Sequence, residues 1–215
     1  MIRFFHKYLS LIISIQLLLW TVSGIYFAFN KIELVRGEQY LLENQAEDLN
    51  LEEVEITFTA KNLSFIKRLD MWIIKAETDS GLIYSDLSGK NLEALDEEGA
   101  KEVVKRKTNL RPLEAFRIDK QEKRAEYRGR DLPLYKVTTS ASDGINVYVD
   151  AFSGAVTAIR SDSWRIWDFL WGAHIIDYRE RDNINNFLLK FFSILALISA
   201  LSGIALFFKT LRLRS

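Results

Sequence analysis

The chain has 215 residues, no net formal charge, no cysteine and two histidines. Without cysteine there is no disulfide framework, no thiolate zinc site, no iron–sulfur cluster and no covalently attached haem, and two histidines all but exclude an all-histidine metal centre within one chain. The neutral total is a cancellation: residues 31–186 hold all 29 acidic residues and 23 of the 29 basic ones, a net of −6, whereas the two ends hold only bases.

Tyr8 to Phe29 (YLSLIISIQLLLWTVSGIYFAF) contains no formal charge, and its length corresponds to roughly 33 Å of helix against a hydrocarbon core of roughly 30 Å. It is longer than the apolar stretch of a signal peptide and no small-residue cleavage site follows Phe29, so an uncleaved transmembrane anchor is expected. In the middle, Met71–Ala76, Leu82–Asp86, Pro133–Thr139 and Ile145–Asp150 are predicted as short strands, being rich in β-branched and aromatic residues. Asp96 to Arg106 opens on acids and closes on bases, the pattern of a helix that complements its dipole. Leu51–Leu69 is ambiguous, with room for another short strand. Ile83–Lys90 (IYSDLSGK) and Val147–Gly154 (VYVDAFSG) form a weak internal repeat, each a strand running into an Asp-to-Gly turn. Asp86, Gly89, Asp150 and Gly154 are therefore given structural roles.

Beyond the middle, Trp164, Trp167, Trp171 and His174 are spaced 3, 4 and 3 apart, which on a helix places them on one face with Tyr178. Arg165, Asp168 and Arg179 project elsewhere. An aromatic stripe with polar flanks beside a membrane span predicts an interfacial helix whose apolar face turns His174 toward the spans. Phe187 to Phe208 (FLLKFFSILALISALSGIALFF) is a second span with one charge, Lys190, placed to snorkel or to meet an anionic ligand. Arg3 and Lys7 precede the first span, and Lys209, Arg212 and Arg214 follow the second, so the positive-inside rule places both termini in the cytoplasm. Each span carries a Ser-Gly-Ile step, at residues 23–25 and 202–204, where small residues permit close helix contact.

The segment Asn146–Ile159 (NVYVDAFSGAVTAI) resembles the closing hairpin of PepSY domains, a strand ending in Val-Asp followed by Gly and a further strand. The order of features along the whole chain is similar to that of PepSY-associated transmembrane proteins of bacterial inner membranes. These have a His-containing first span, a periplasmic PepSY region, and a Trp/His-rich segment feeding a Ser-Gly-containing last span. The expected architecture is an α+β membrane protein in which two transmembrane helices flank a periplasmic PepSY-like domain. Its parts are residues 1–30 (cytoplasmic end and first span), 31–162 (PepSY-like domain), 163–186 (interfacial helix and linker) and 187–215 (second span and basic tail).

The resemblance gives His6 and His174, one at each membrane face, the role of axial ligands to haem iron. With no cysteine the cofactor would be haem b. The two residues lie too far apart to share one haem, so bis-histidine iron would pair each with its copy across a C2 homodimer. Arg3, Lys7 and Arg212 inside, and Lys190 or Arg165 outside, are candidate partners for the propionates. Family members include ferric siderophore reductases, which implies reduction of periplasmic ferric iron or a ferric chelate. The electron would come from an external donor, quinol or a soluble reductase, since no dinucleotide fingerprint or flavin-type domain is present. No catalytic residue is assigned. The competing expectation is a non-enzymatic, membrane-anchored PepSY binding or regulatory module. The acidic middle disfavours nucleic acid, and no nucleophile–His–acid set supports a hydrolase.

Overall fold

An apolar segment of about 20 residues in a hydrocarbon setting satisfies its backbone by hydrogen bonding to itself, and each end of this chain forms one long helix. The computed structural model describes residues 2–43, 48–50, 52, 54–56 and 58–212, with the side chains of Ile2 and Arg212 lying outside the described part. Helix α1 (Ile2–Phe29) is followed by the single turn α2 (Ile32–Val35). Then come β1 (Asn62–Arg68), β2 (Met71–Thr78), β3 (Gly81–Asp86), α3 (Glu97–Lys107), β4 (Pro112–Ile118), β5 (Leu134–Thr139), β6 (Asn146–Asp150) and β7 (Val156–Arg160). Helices α4 (Asp162–His174) and α5 (Phe187–Arg212) close the chain. The architecture is α+β with two sheets, and α1 and α5 are each long and apolar enough to cross a membrane.

The chain divides into two compact units, Glu33–Trp164 and the combination of Met1–Ile32 with Arg165–Ser215. In the first, β1-β2-β3 and β4-β5-β6-β7 are separate antiparallel meanders. Helix α3 is capped by Asp96, whose carboxylate accepts from the Gly99 N–H, and its Ala100, Val103 and Val104 are fully buried. They pack against Tyr135, Val137, Val147, Val149 and Ile159 on one face of the four-stranded sheet. The alternate positions Leu134, Tyr148 and Ala158 face the other way and are covered by Tyr127 from the β4–β5 connection. That two-sided cover explains why the centre of β6 is buried at three consecutive residues.

The expected strands at Met71, Leu82, Pro133 and Ile145 coincide with β2, β3, β5 and β6, and the expected helix with α3. The ambiguous Leu51–Leu69 stretch contains β1 in its last third. Strand β4 had no sequence signal, because it is an edge strand with Ala115 as its one buried residue and Leu113 and Phe116 half exposed.

The repeated turns are alike in structure. Asp86 accepts from the Ser88 N–H and hydroxyl and from the Lys90 N–H, and Asp150 accepts from the Phe152 N–H and from the Ser153 N–H and hydroxyl. Gly89 and Gly154 follow at φ +81° and +63°, values an L side chain rarely adopts. The Asp150 turn is the more buried of the two, so water replaces its bonds less well. Asp150→Ala is expected to cost about 2 kcal/mol and Asp86→Ala less than half of that, measured by denaturant unfolding of the detergent-solubilised chain.

Candidate imidazole sites on the paired helices

In the second unit α1 and α5 run antiparallel, with the face of α1 that carries Leu9, Ile13, Gln16 and Ser23 buried. Near the chain's N-terminus, the His6 Nδ1 lies 2.7 Å from the Ser202 hydroxyl of α5, and the next contact up the pair joins the Ser10 and Ser199 hydroxyls at 2.9 Å. The imidazole lies flat enough on α5 that a Cβ at Gly203 would come within 3.1 Å of its Cε1. Glycine there is a matter of space for the ring.

The other end of α1 receives the end of α4. A helix leaves its last four carbonyls without internal partners, and in apolar surroundings these must be met by side chains. The Gln16 amide donates to the Ala173 carbonyl (3.3 Å), the Trp20 indole N–H to the His174 carbonyl (2.6 Å), and the Asn186 amide to the Ile175 carbonyl (2.8 Å). The chain then reverses in a Schellman-type turn. The Asp177 N–H donates to the Gly172 carbonyl and the Ile176 N–H to the Ala173 carbonyl, with Ile176 at φ +55°. A β-branched residue in that conformation is strained, and its burial among the turn and helix residues is what holds it there.

The loop beyond is organised by two carboxylates. Asp177 accepts from the backbone N–H groups of Arg179, Glu180, Asp182 and Asn183. Asp168, 5% exposed, is bound by the Arg181 guanidinium at 2.7 Å. Arg181 folds so close to the helix that a Cβ on Gly172 would overlap its Cγ.

These restraints place His174. Its Nδ1 lies 2.7 Å from the Ser23 hydroxyl of α1, and its ring is nearly parallel to Trp171, which in turn stacks on Trp167. Phe27 and Trp20 close the aromatic surround. Burial lowers the His174 pKa, so the imidazole is neutral near pH 7.

The two sites are therefore built alike and crosswise: α1 supplies His6 to one and Ser23 to the other, while α5 and α4 supply Ser202 and His174. His6 and Ser23 are seventeen positions apart on one helix, which is about 26 Å along its axis. Each site holds one histidine of the chain. In both, a serine hydroxyl also donates back to its own helix, from Ser23 to the Leu19 carbonyl at 2.7 Å and from Ser202 to the Ser199 carbonyl at 2.8 Å.

Several expected features differ. Tyr178 does not share the stripe of Trp167, Trp171 and His174, because α4 ends at His174 and the reversal at Ile176 intervenes. Trp164 lies on α4 as expected, and its ring is 4.3 Å from the Arg160 guanidinium and 5.6 Å from that of Arg128. Burial, with Arg130 and Arg128 nearby, holds Arg160 down to about 10, still protonated at neutral pH. Of the two Ser-Gly steps, expected to permit close helix contact, Ser202-Gly203 lies against His6 of α1, whereas the Cβ position of Gly24 is open. In the sequence these serines read only as small residues, because no local pattern links them to histidines so far along the chain.

Of the other candidates, Arg3 and Lys7 are exposed within one turn of His6, with the Lys7 ammonium 5.7 Å from the Tyr8 ring centre. Arg165 is half-buried on α4, and Lys190 is exposed near the start of α5. The Arg212 side chain lies outside the described residues. Among the described residues no cluster of three or more His, Cys, Asp or Glu is arranged to hold a metal ion. The Glu33–Trp164 unit carries a separate cleft of about 570 Å³ along the β4–β5 connection, lined by Arg117, Lys120, Lys123, Arg124 and Lys136 together with Asp119, Glu122 and Glu126.

Comparison of the chain with models of known families, with curated proteins and with solved structures finds no match.

The turn that presents His174 depends on the ionised form of Asp177. Burial works to raise the pKa of this carboxyl, but its four backbone N–H donors outweigh that and bring it down to about 2. Against an unfolded value of about 3.9, the turn has its full stabilisation above about pH 4 and loses it as the pH falls through about 2. Hydrogen exchange at Arg179, Glu180, Asp182 and Asn183 is expected to accelerate in that window. In Asp177→Asn it is expected to be fast already at pH 7.

Proposed function

We propose that the chain is a haem-b electron carrier of the bacterial inner membrane, resembling the PepSY-associated transmembrane family, that reduces ferric iron or a ferric chelate outside the membrane. The observation that supports this most directly is the pair of imidazoles. The whole histidine complement stands at two sites about 26 Å apart along α1, each with Nδ1 engaged by a serine. At His174, Nε2 takes no hydrogen bond among the described residues, and at His6 the nearest partner of Nε2 is the Ser10 hydroxyl at a long 3.5 Å.

The residues fit b-type haem in donor chemistry, each site offering an imidazole nitrogen and the His174 site an aromatic surround, and they fit it in number only when two chains combine. One chain offers one imidazole per site, so His6 and His174 would each pair with the same residue of a second copy on a C2 axis. When bound, haem supplies a one-electron couple. The chain's own residues would do the rest. Ser202 and Ser23 orient the rings, and Trp167, Trp171 and Phe27 exclude water around His174. Arg3, Lys7 and Arg212 near one site, and Arg165 and Lys190 near the other, offer positive charge to propionates. With both termini cytoplasmic and the Glu33–Trp164 domain periplasmic, each turnover moves one electron outward, oxidising an external donor (quinol or a soluble reductase). Fe(III) becomes Fe(II), which hard oxygen chelators hold less tightly.

The cleft on the Glu33–Trp164 unit favours a second reading, in which that unit is a membrane-anchored binding module for a partner with charged groups of both signs and the histidines carry no cofactor.

Absorption spectra of the full chain purified in detergent separate the two. The electron carrier is expected to show a Soret band with two haems per dimer. His6→Ala and His174→Ala should each lose one haem, and the double variant both. A colourless dimer from cells supplied with haem would overturn the proposal in favour of the binding module.

A further inference from the structure

A serine hydroxyl has one hydrogen to give and can accept through its lone pairs. Ser23 and Ser202 sit inside helices, each within 2.8 Å of a backbone carbonyl of the preceding turn, and a carbonyl can only accept. Each hydroxyl also lies 2.7 Å from an imidazole Nδ1. If Nδ1 were the bare nitrogen, the single hydroxyl hydrogen would have to choose between the ring and the carbonyl, and one of the two short contacts would carry no hydrogen. If Nδ1 bears the hydrogen, it donates to the serine oxygen while the hydroxyl donates to the carbonyl, and both contacts are made. Both contacts are partly buried and neither span carries a carboxylate, so the arrangement with two hydrogen bonds per site is favoured over the one with a single bond.

We infer that Ser202 and Ser23 are positioning residues that hold His6 and His174 as their Nδ1–H tautomers, leaving the lone pair of each ring on Nε2, which at His6 meets the Ser10 hydroxyl at a long 3.5 Å. The assignment of the tautomer stands on the serine geometry; the use made of Nε2 rests on the haem reading above. Under that reading the serines do what an outer partner of a ligating histidine does: fix the ring's orientation and decide which nitrogen faces the metal. Their chemistry also has a direction. A neutral hydroxyl accepts from Nδ1–H more weakly than a carboxylate would, so the ligand stays a neutral imidazole and the reduced metal is less disfavoured than with an anionic partner. Removing the acceptor makes the ring a weaker base still, which moves the midpoint potential upward.

Nitrogen-15 NMR of the haem-free full chain, labelled at histidine and held in detergent, reads the tautomer directly. Both histidines are expected as Nδ1–H. Ser23→Ala should change the signals of His174 alone and Ser202→Ala those of His6 alone, and the two Ser→Thr variants should restore the wild-type pattern because threonine keeps the hydroxyl. In haem-loaded protein, each Ser→Ala variant is expected to hold one haem at least about tenfold more weakly, with an upward shift of that haem's midpoint potential and recovery in the Thr variant. Nε2–H tautomers in the wild type, or Ser→Ala variants that leave both the NMR signals and haem retention unchanged, would overturn the inference. Nδ1–H tautomers in a chain that binds no haem would uphold the serine assignment and remove the electron-carrier reading.

Discussion

Polar backbone groups that end up beside apolar helices must find partners within the protein, and the arrangement of the second unit follows from that requirement. Helix α4 stops at His174, so the carbonyls of Ala173, His174 and Ile175 lack an N–H four residues on, and Ala173 has from the backbone only the long 3.4 Å bond of the Ile176 N–H. Gln16 and Trp20, placed one turn apart on α1, and Asn186, just before α5, meet these three in turn. The amide of Gln16 is costly within a span of aliphatic residues, and capping α4 is the compensating reason for it to be there. With the carbonyls tied, the His174 ring has little freedom left, and Ser23, one turn beyond Trp20, meets its Nδ1. The Asp177 and Asp168 contacts act on the same turn from the loop side, so the placement of one imidazole is determined from α1 and from the α4–α5 loop that includes Asn186.

His6 is held more simply, by one short hydroxyl contact from Ser202, a long one from Ser10, and the absence of a side chain at Gly203. The asymmetry has a physical basis. His6 lies inside a regular helix, where the backbone sets the direction of its side chain, whereas His174 is the last residue of its helix and needs external restraint. The same chemistry at the nitrogen is thus reached by two constructions. Under the proposed function, each construction offers one ligand nitrogen and relies on a second copy for the other, which ties cofactor binding to dimer formation.

Much of the architecture was legible in the residues. The two end helices follow from uninterrupted apolar runs, and the strands β2, β3, β5 and β6 from their β-branched and aromatic content. The paired Asp-to-Gly turns follow from a side chain that satisfies nearby N–H groups and a residue free to take positive φ. All of these depend on residues within a few positions of one another. Strand β4 escaped notice because an edge strand needs no alternating apolar face. Tyr178 was misplaced because periodicity extended the helix past His174, and nothing in Ile176 signals a left-handed residue; a glycine there would have.

By itself, the sequence determined that an acidic domain lies between two basic, apolar ends, that cysteine chemistry is absent, and that one histidine stands shortly before each of the two long apolar runs. Only the tertiary structure decided that each histidine meets the serine of the opposite Ser-Gly step, and which nitrogen the serine takes. Those contacts join residues 196 and 151 positions apart. A hydroxyl and an imidazole at such separations share no local pattern, and become partners only when antiparallel helix packing and a capped helix end bring them within hydrogen-bond reach.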